Sequence, residues 1–131
     1  MASALAVSAA HPGPLQALVV EDEPAIAQAA RARLEDLGFA VQVAATADEG
    51  LSSIRLFEFD LMLADIVTPG ELNGRELAFE AARLQPAIAA VLSSGFSIGV
   101  ATSGGSFGPI LRKPYGKTQL ERAVRRVITL T

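Results

Sequence analysis

The 131-residue sequence has no cysteine and a single histidine, His11. Without thiols there is no disulfide, no thiolate nucleophile and no cysteine-based zinc site. One imidazole excludes a three-histidine metal centre and any relay that needs two. An excess of basic charge is lacking as well. Eleven Lys and Arg against fourteen Asp and Glu leave a net charge of −3, so no domain-wide field for nucleic acid exists. No apolar run approaches the roughly 20 residues of a membrane span. Residues 1–14 carry no basic start before their apolar stretch, which makes a poor secretory signal. A cytoplasmic protein without membrane or nucleic-acid contact is expected. What is plentiful is core material: half the residues are hydrophobic and mean hydropathy is +0.37. That excludes disorder of the whole chain and suits one ordinary domain.

Residues 1–14 are rich in Ala, Ser, Pro and Gly without a period and read as a flexible tail. A single domain is expected over 15–131. Ala17-Leu18-Val19-Val20 is a short apolar run that stops at Glu21-Asp22-Glu23-Pro24, as a strand buried on both faces would. Ile26, Ala30, Leu34 and Leu37 follow at helical spacing, with Asp22 as cap, Pro24 in the first turn and Gly38 at the end. Val41-Gln42-Val43 alternates like an edge strand. Thr46 to Glu49 has the form of a capping box, opening a helix that ends near Phe57. Leu61 to Ala64 is a second apolar run, ending at Asp65. A turn-rich loop from Thr68 to Gly74 leads to a helix marked by Leu77, Ala81 and Leu84 and closed by Pro86. Ile88 to Leu92 ends at Ser93-Ser94-Gly95. Residues 96–108 carry four glycines, so a helix there is expected to be short and weak. Ile110-Leu111 ends at Arg112-Lys113-Pro114. Thr118 to Glu121 has the spacing of a capping box, and Leu120, Val124, Val127 and Ile128 form one stripe of the last helix. Five β-α repeats imply an α/β fold. Buried-type runs at strands one, three and four suit the middle of a parallel sheet and the alternating second run its edge, which agrees with a doubly wound order 2-1-3-4-5.

In such sheets ligands bind beyond the carboxyl ends of the strands. Strand one ends at Glu21-Asp22, strand three at Asp65, strand four at Ser93 and strand five at Lys113. Three carboxylates on one rim repel one another and call for a cation. Oxygen ligands alone favour a hard divalent ion such as Mg²⁺ or Mn²⁺. A lysine and a hydroxyl beside it suit the remaining oxygens of a phosphoryl group. The rim therefore reads as an acidic metal pocket with one carboxylate as nucleophile.

Leu18-Val19-Val20-Glu21-Asp22-Glu23-Pro24, Asp65 followed by Pro69, Leu92-Ser93-Ser94-Gly95 and Lys113-Pro114 together resemble a response-regulator receiver domain over residues 15–131. The resemblance implies a flavodoxin-like three-layer sandwich and a role for each matching residue. Asp65 is implied as phosphoacceptor. Asp22 would bind Mg²⁺ directly, Glu21 through water, and the backbone carbonyl of Val67 would complete the protein ligands. Ser93 would hydrogen-bond the phosphoryl group and Lys113 would pair with it, with a cis Lys113–Pro114 peptide. The donor would be a sensor histidine kinase or a histidine phosphotransfer protein. Output would pass by phosphate shuttling or by protein contact through the helix 4–strand 5–helix 5 face. The chain would be no enzyme beyond its own phosphorylation and slow dephosphorylation. The sequence departs from the family in three places. Ile110 stands where a switch aromatic is usual, the Asp65–Gly74 loop is one residue longer than in the chemotaxis type, and the helix after strand four is glycine-rich.

Other readings compete. Glu21 and Asp22 as mere helix caps account for two residues but not for the whole rim. Asp60 reads as a polar strand start, His11 as inert, and Gly104-Gly105 as a linker, since no Gly-Lys-Ser/Thr follows. Arg122, Arg125 and Arg126 read as a solvated face or a docking aid. A phosphatase using an aspartyl phosphate needs a second acid two residues on, where Val67 stands. A pseudo-receiver that is never phosphorylated is the remaining alternative.

Overall fold

The computed structural model describes residues 7–8, 13–95 and 110–130. Its elements run β1 (Val7–Ser8), β2 (Leu15–Val20), α1 (Pro24–Asp36), β3 (Phe39–Ala44), α2 (Ala47–Leu56), β4 (Leu61–Asp65), α3 (Gly74–Leu84), β5 (Ala89–Ser94), β6 (Leu111–Arg112), α4 (Lys117–Val127) and β7 (Ile128–Thr129). Five of the strands form one parallel sheet in the order β3-β2-β4-β5-β6. Counted by themselves, these five strands stand in the order 2-1-3-4-5, as the apolar runs imply. The alternating strand, β3, lies at an edge, and every residue of β4 is buried.

Side chains alternate across the sheet and divide the core in two. Leu18, Val20, Met62, Ala64 and Leu92 face α2 and α3 through Ile54, Leu77 and Ala81. Ala17, Val19, Leu61, Leu63 and Val91 face α1 and α4 through Ala30, Leu34, Leu120 and Val124. This is the three-layer arrangement expected of runs that are apolar at every position.

Several boundaries differ from the expectation. The N-cap of α1 is Glu23, not Asp22, and it makes no side-chain cap; the Glu23 N–H is held by the Glu21 carboxylate at 3.2 Å. Thr46 does cap α2, accepting from the Glu49 N–H at 3.1 Å, but Glu49 reaches back to Ala45 and not to the cap itself. Gly116, not Thr118, precedes α4, and its N–H donates to Gln119. Ile128 belongs to β7, which pairs in parallel with β1. Of the segment expected to be a tail, Val7–Ser8 thus form a strand, and residues 1–6 and 9–12 lie outside the described residues. The glycine-rich stretch 96–108, with its expected weak helix, also lies outside them. Gly38 closes α1 at φ +104°, a left-handed turn that glycine takes without strain.

The ends of α2 and α3 meet through one side chain. Gln85 donates from Nε2 to the carbonyls of Ile54 and Phe57 at 2.8 and 2.7 Å, and its Oε1 accepts from the Phe59 N–H at 2.9 Å. One carbonyl of the last turn of α2 and two backbone groups of the α2–β4 connection depend on it. Gln85→Ala is expected to lower stability by about 1–2 kcal/mol, because partly buried groups lose partners. Urea unfolding of the variant beside Gln85→Glu measures this. Glu keeps the acceptor but presents carboxylate oxygens to two carbonyls, so it should be the worse of the two.

Candidate functional site

The site is built where apolar strands give way to charged residues at the carboxyl edge of the sheet. Asp65 is the last residue of β4 and is 5% exposed. Glu21 follows β2 and is equally buried, tied to the edge strand by its N–H to the Ala44 carbonyl at 3.0 Å. Lys113 follows β6, its N–H donating to the Ser94 carbonyl at 2.8 Å, and its peptide bond to Pro114 is cis. Behind it, Arg33 of α1 donates to the Tyr115 carbonyl at 2.9 Å, so the loop that aims the lysine is fastened to a helix.

The Lys113 ammonium bridges the two buried acids. Nζ donates to Asp65 Oδ2 at 2.7 Å and to Glu21 Oε1 at 2.8 Å. The other oxygen of Asp65, Oδ1, accepts from the Val67 N–H at 3.2 Å. Asp22 is exposed, yet one carboxylate oxygen from each of Glu21, Asp22 and Asp65 lies within 4.8 Å of the others. Ser93 is buried and stands opposite Asp65 in the β4–β5 ladder; its carbonyl accepts from the Ile66 N–H at 2.8 Å. Val67 is half-exposed at the mouth.

Burial raises the Glu21 carboxyl above its ordinary range, against the hydrogen bonds from Lys113 and the Glu23 N–H, and the charge of Asp65 adds to the rise. Burial works against the Lys113 ammonium, but the hydrogen bonds to Asp65 and Glu21 outweigh it and its pKa is raised. The two directions belong to one geometry. A single cation is shared by two acids, so the ammonium stays charged while the uncompensated cost falls on Glu21. Burial, with Glu21 nearby, raises the Tyr115 phenol. Three carboxylates against one ammonium leave two net negative charges in a small oxygen-lined space. That donor set fits a hard divalent cation.

The four charged residues assigned to the rim, Glu21, Asp22, Asp65 and Lys113, come together here, with Ser93 and Val67 beside them. Asp60 does more than open a strand: its Oδ2 accepts from the Gln16 N–H at 2.7 Å, pinning the amino end of β2. Sequence reasoning missed the Asn73 capping box. Asn73 Oδ1 accepts from the Glu76 N–H and Glu76 from the Asn73 N–H, both at 2.9 Å, and this sets the start of α3 after the site loop. The Asn-Gly-Arg-Glu spacing was the available signal.

The comparisons with known proteins agree with this geometry. The model of the response regulator receiver domain matches residues 17–125. The transcriptional regulatory protein DltR of Streptococcus agalactiae, from serotype III and serotype V strains, is 46% identical over 55 residues, 42% of this chain and 25% of that protein. The chain thus spans about a quarter of the length of the curated relatives it matches. A CheY-like receiver domain protein from Methanospirillum hungatei is similar with a TM-score of 0.74 and 29% identity, covering 86% of this chain and 92% of that one. A response regulator from Burkholderia pseudomallei, solved with a phosphorylated aspartic acid, a calcium ion and citrate, gives 0.73 and 26%, covering 84% and 66%. TrrA from Thermotoga maritima, solved with Mg²⁺ and BeF, gives 0.75 at 24% identity, covering 86% and 98%, and is a likeness of fold. On the family match, which takes in both buried acids and the bridging lysine, this chain belongs to the response regulator receiver domain family.

Proposed function

We propose that the chain is a phosphoacceptor of a two-component relay, with Asp65 as the residue that takes the phosphoryl group. The observation that carries this is the Asp65 carboxylate at a strand end, buried, held at both oxygens, with Lys113 on one and two further acids beside it. An oxygen of Asp65 attacks the phosphorus of a phosphohistidine on a kinase or phosphotransfer protein. The new O–P bond forms as the P–N bond breaks, and the leaving imidazole keeps the electron pair and takes a proton. Little covalent chemistry falls to the protein, which contributes positioning and charge. Asp22, Glu21 and Asp65, with the Val67 carbonyl, would hold Mg²⁺ or Mn²⁺, which when bound neutralises charge on the phosphoryl oxygens. Lys113 follows the phosphoryl charge as it arrives, and the Ser93 hydroxyl donates to one of its oxygens. The Burkholderia relative, with its phosphorylated aspartic acid, supports the same chemistry here.

Transfer, not turnover of a substrate, is the reading. Val67 two residues after Asp65 offers no acid for hydrolysing the intermediate. Output passes by contact with a downstream protein, on a face to which β6 and α4 contribute, or by handing the phosphoryl group on. No helix among the described residues is long and apolar enough to cross a membrane, and we place the reaction in the cytoplasm.

Intact mass after incubation with a small acyl phosphate and Mg²⁺ tests the proposal. The protein should gain one phosphoryl group, and Asp65→Asn, or omission of Mg²⁺, should abolish the gain. A folded wild type that never gains mass, from the small donor or from a histidine kinase, is the result a pseudo-receiver would give.

A further inference from the structure

Residues 66–73 join Asp65 to α3, and the structure fastens this loop on three sides. It closes on itself, with the Gly74 N–H donating to the Ile66 carbonyl at 2.8 Å and the Thr68 hydroxyl to the Leu72 carbonyl at 3.0 Å. It is tied outward to the first residues of α2. The Ala47 N–H donates to Thr68 Oγ1 at 3.4 Å and the Glu71 N–H to Asp48 Oδ2 at 3.1 Å. Gly70 passes so near that any side chain there would collide with the Asp48 carboxylate. Inward, the Val67 N–H donates to Asp65 Oδ1 at 3.2 Å.

We propose that Asp48 is a positioning residue for the Asp65 carboxylate, acting through the 66–73 loop, and that it serves as a hydrogen-bond acceptor and not as a charge. The effect on reaction rate rests on the reading of Asp65 as phosphoacceptor; the effect on loop geometry does not. The chain of contacts runs from Asp48 to Glu71, along the loop to Val67, and from Val67 to Asp65 Oδ1. Lys113 fixes the other oxygen, Oδ2, so the carboxylate is oriented only while both holds persist. Without the outward tie the loop samples other conformations and the Val67 N–H leaves Oδ1 for part of the time. Lys113 still holds Oδ2, so orientation is weakened and not lost.

Two readouts test this on the intact chain. Asp48→Ala should slow phosphorylation by a small acyl phosphate about fivefold to tenfold, in keeping with a modest misplacement of a reacting group. It should also speed hydrogen exchange at the Val67 and Glu71 amides, which report local opening. Asp48→Asn keeps an acceptor oxygen and should match the wild type in both. Thr68→Val removes the second tie and should act in the same direction as Asp48→Ala. The proposal is overturned if Val67 stays as protected in Asp48→Ala as in the wild type, or if Asp48→Asn behaves like the alanine variant. If the wild type takes up no phosphoryl group, the phosphoacceptor reading fails, and amide exchange alone still decides the positioning role.

Discussion

Lys113→Met should unfold at lower urea than any other variant described here, with a loss of about 3–5 kcal/mol at neutral pH without divalent cations, the range for stripping one partner from a buried ion pair. The side chains of Glu21 and Asp65 are 4% and 7% exposed, so water does little to screen them once the ammonium is gone. Methionine matches the aliphatic stem, which separates loss of charge from loss of packing. The pH dependence follows from the directions of shift. In the native protein the Lys113 pKa is raised, so its stabilisation is complete below the ordinary value of 10.5 and fades as pH climbs through the folded value. Glu21 is raised too, so its cost is absent below 4.5 and grows as pH rises through its folded pKa. Removing Lys113 deletes two of the effects that hold Glu21 down and leaves the repulsion from Asp65. The variant should therefore regain more stability than the wild type as pH falls from 7 toward 4.5, since the wild type carries the same Glu21 cost in smaller measure, while the Lys113 contribution of the wild type is lost only at the alkaline end. Mg²⁺ should restore part of the loss at pH 7, since a cation that binds only the folded site stabilises it by mass action. Urea midpoints at pH 7 and pH 5, with and without Mg²⁺, decide the matter. A uniform loss at both pH values, indifferent to Mg²⁺, would mean that the lysine matters for packing alone.

The parts of this site legible in the sequence are those that strand ends dictate. A parallel strand covered on both faces must be apolar throughout, so its end is announced by the first charge, and Glu21 and Asp65 stand at such points. Lys113 follows an edge strand that already ends in a charged residue, Arg112, and its signal was its place before Pro114. Which strands lie inside the sheet and which at an edge was legible from the wholly apolar and alternating runs; the full order is the one that doubly wound folds of this kind share. Local rules did less well within a turn. By residue type Asp22 is the better cap, yet Glu23 stands at that position without a side-chain cap, with Pro24 as the first helical residue and the Glu23 N–H held by the Glu21 carboxylate. Gln85 and Asp48 gave no signal. Their partners lie 26 and 23 residues away, and no periodicity encodes a contact that exists only once α2 and α3 lie side by side. The β1–β7 pairing was hidden for the same reason, being a contact between opposite ends of the chain.

Gly74→Ala should cost about 3 kcal/mol and slow phosphorylation, although helix propensity alone argues the reverse. Gly74 is the first residue of α3, and alanine in a helix is favoured over glycine by about 1 kcal/mol. Against that stands the approach of α3 to the site strand. A Cβ on Gly74 would lie 2.8 Å from the Asp65 carbonyl carbon and 2.9 Å from Ile66 Cα. Both are backbone atoms, so no rotamer change relieves the contact. Either α3 backs away, breaking the Gly74 N–H bond to the Ile66 carbonyl, or the Asp65–Ile66 peptide moves and takes the carboxylate with it. Overpacking of this kind costs typically 1–3 kcal/mol in adaptable cores, and more where backbone must yield. Gly50→Ala is the control. It sits inside α2, and its Cβ would meet side-chain atoms and no backbone: Leu77 and Val20 methyls at 3.0 Å and a Leu18 methyl at an ordinary 3.8 Å. Those methyl groups can shift by a few tenths of an ångström, so the gain in propensity and the crowding nearly cancel, to within about 1 kcal/mol. Urea unfolding and intact-mass phosphorylation of the two variants side by side separate the effects. If Gly74→Ala matched Gly50→Ala in both, the close approach of α3 would have no part in fixing Asp65. The expected split, with only the Gly74 variant both unstable and slow, ties the helix start to the reacting carboxylate.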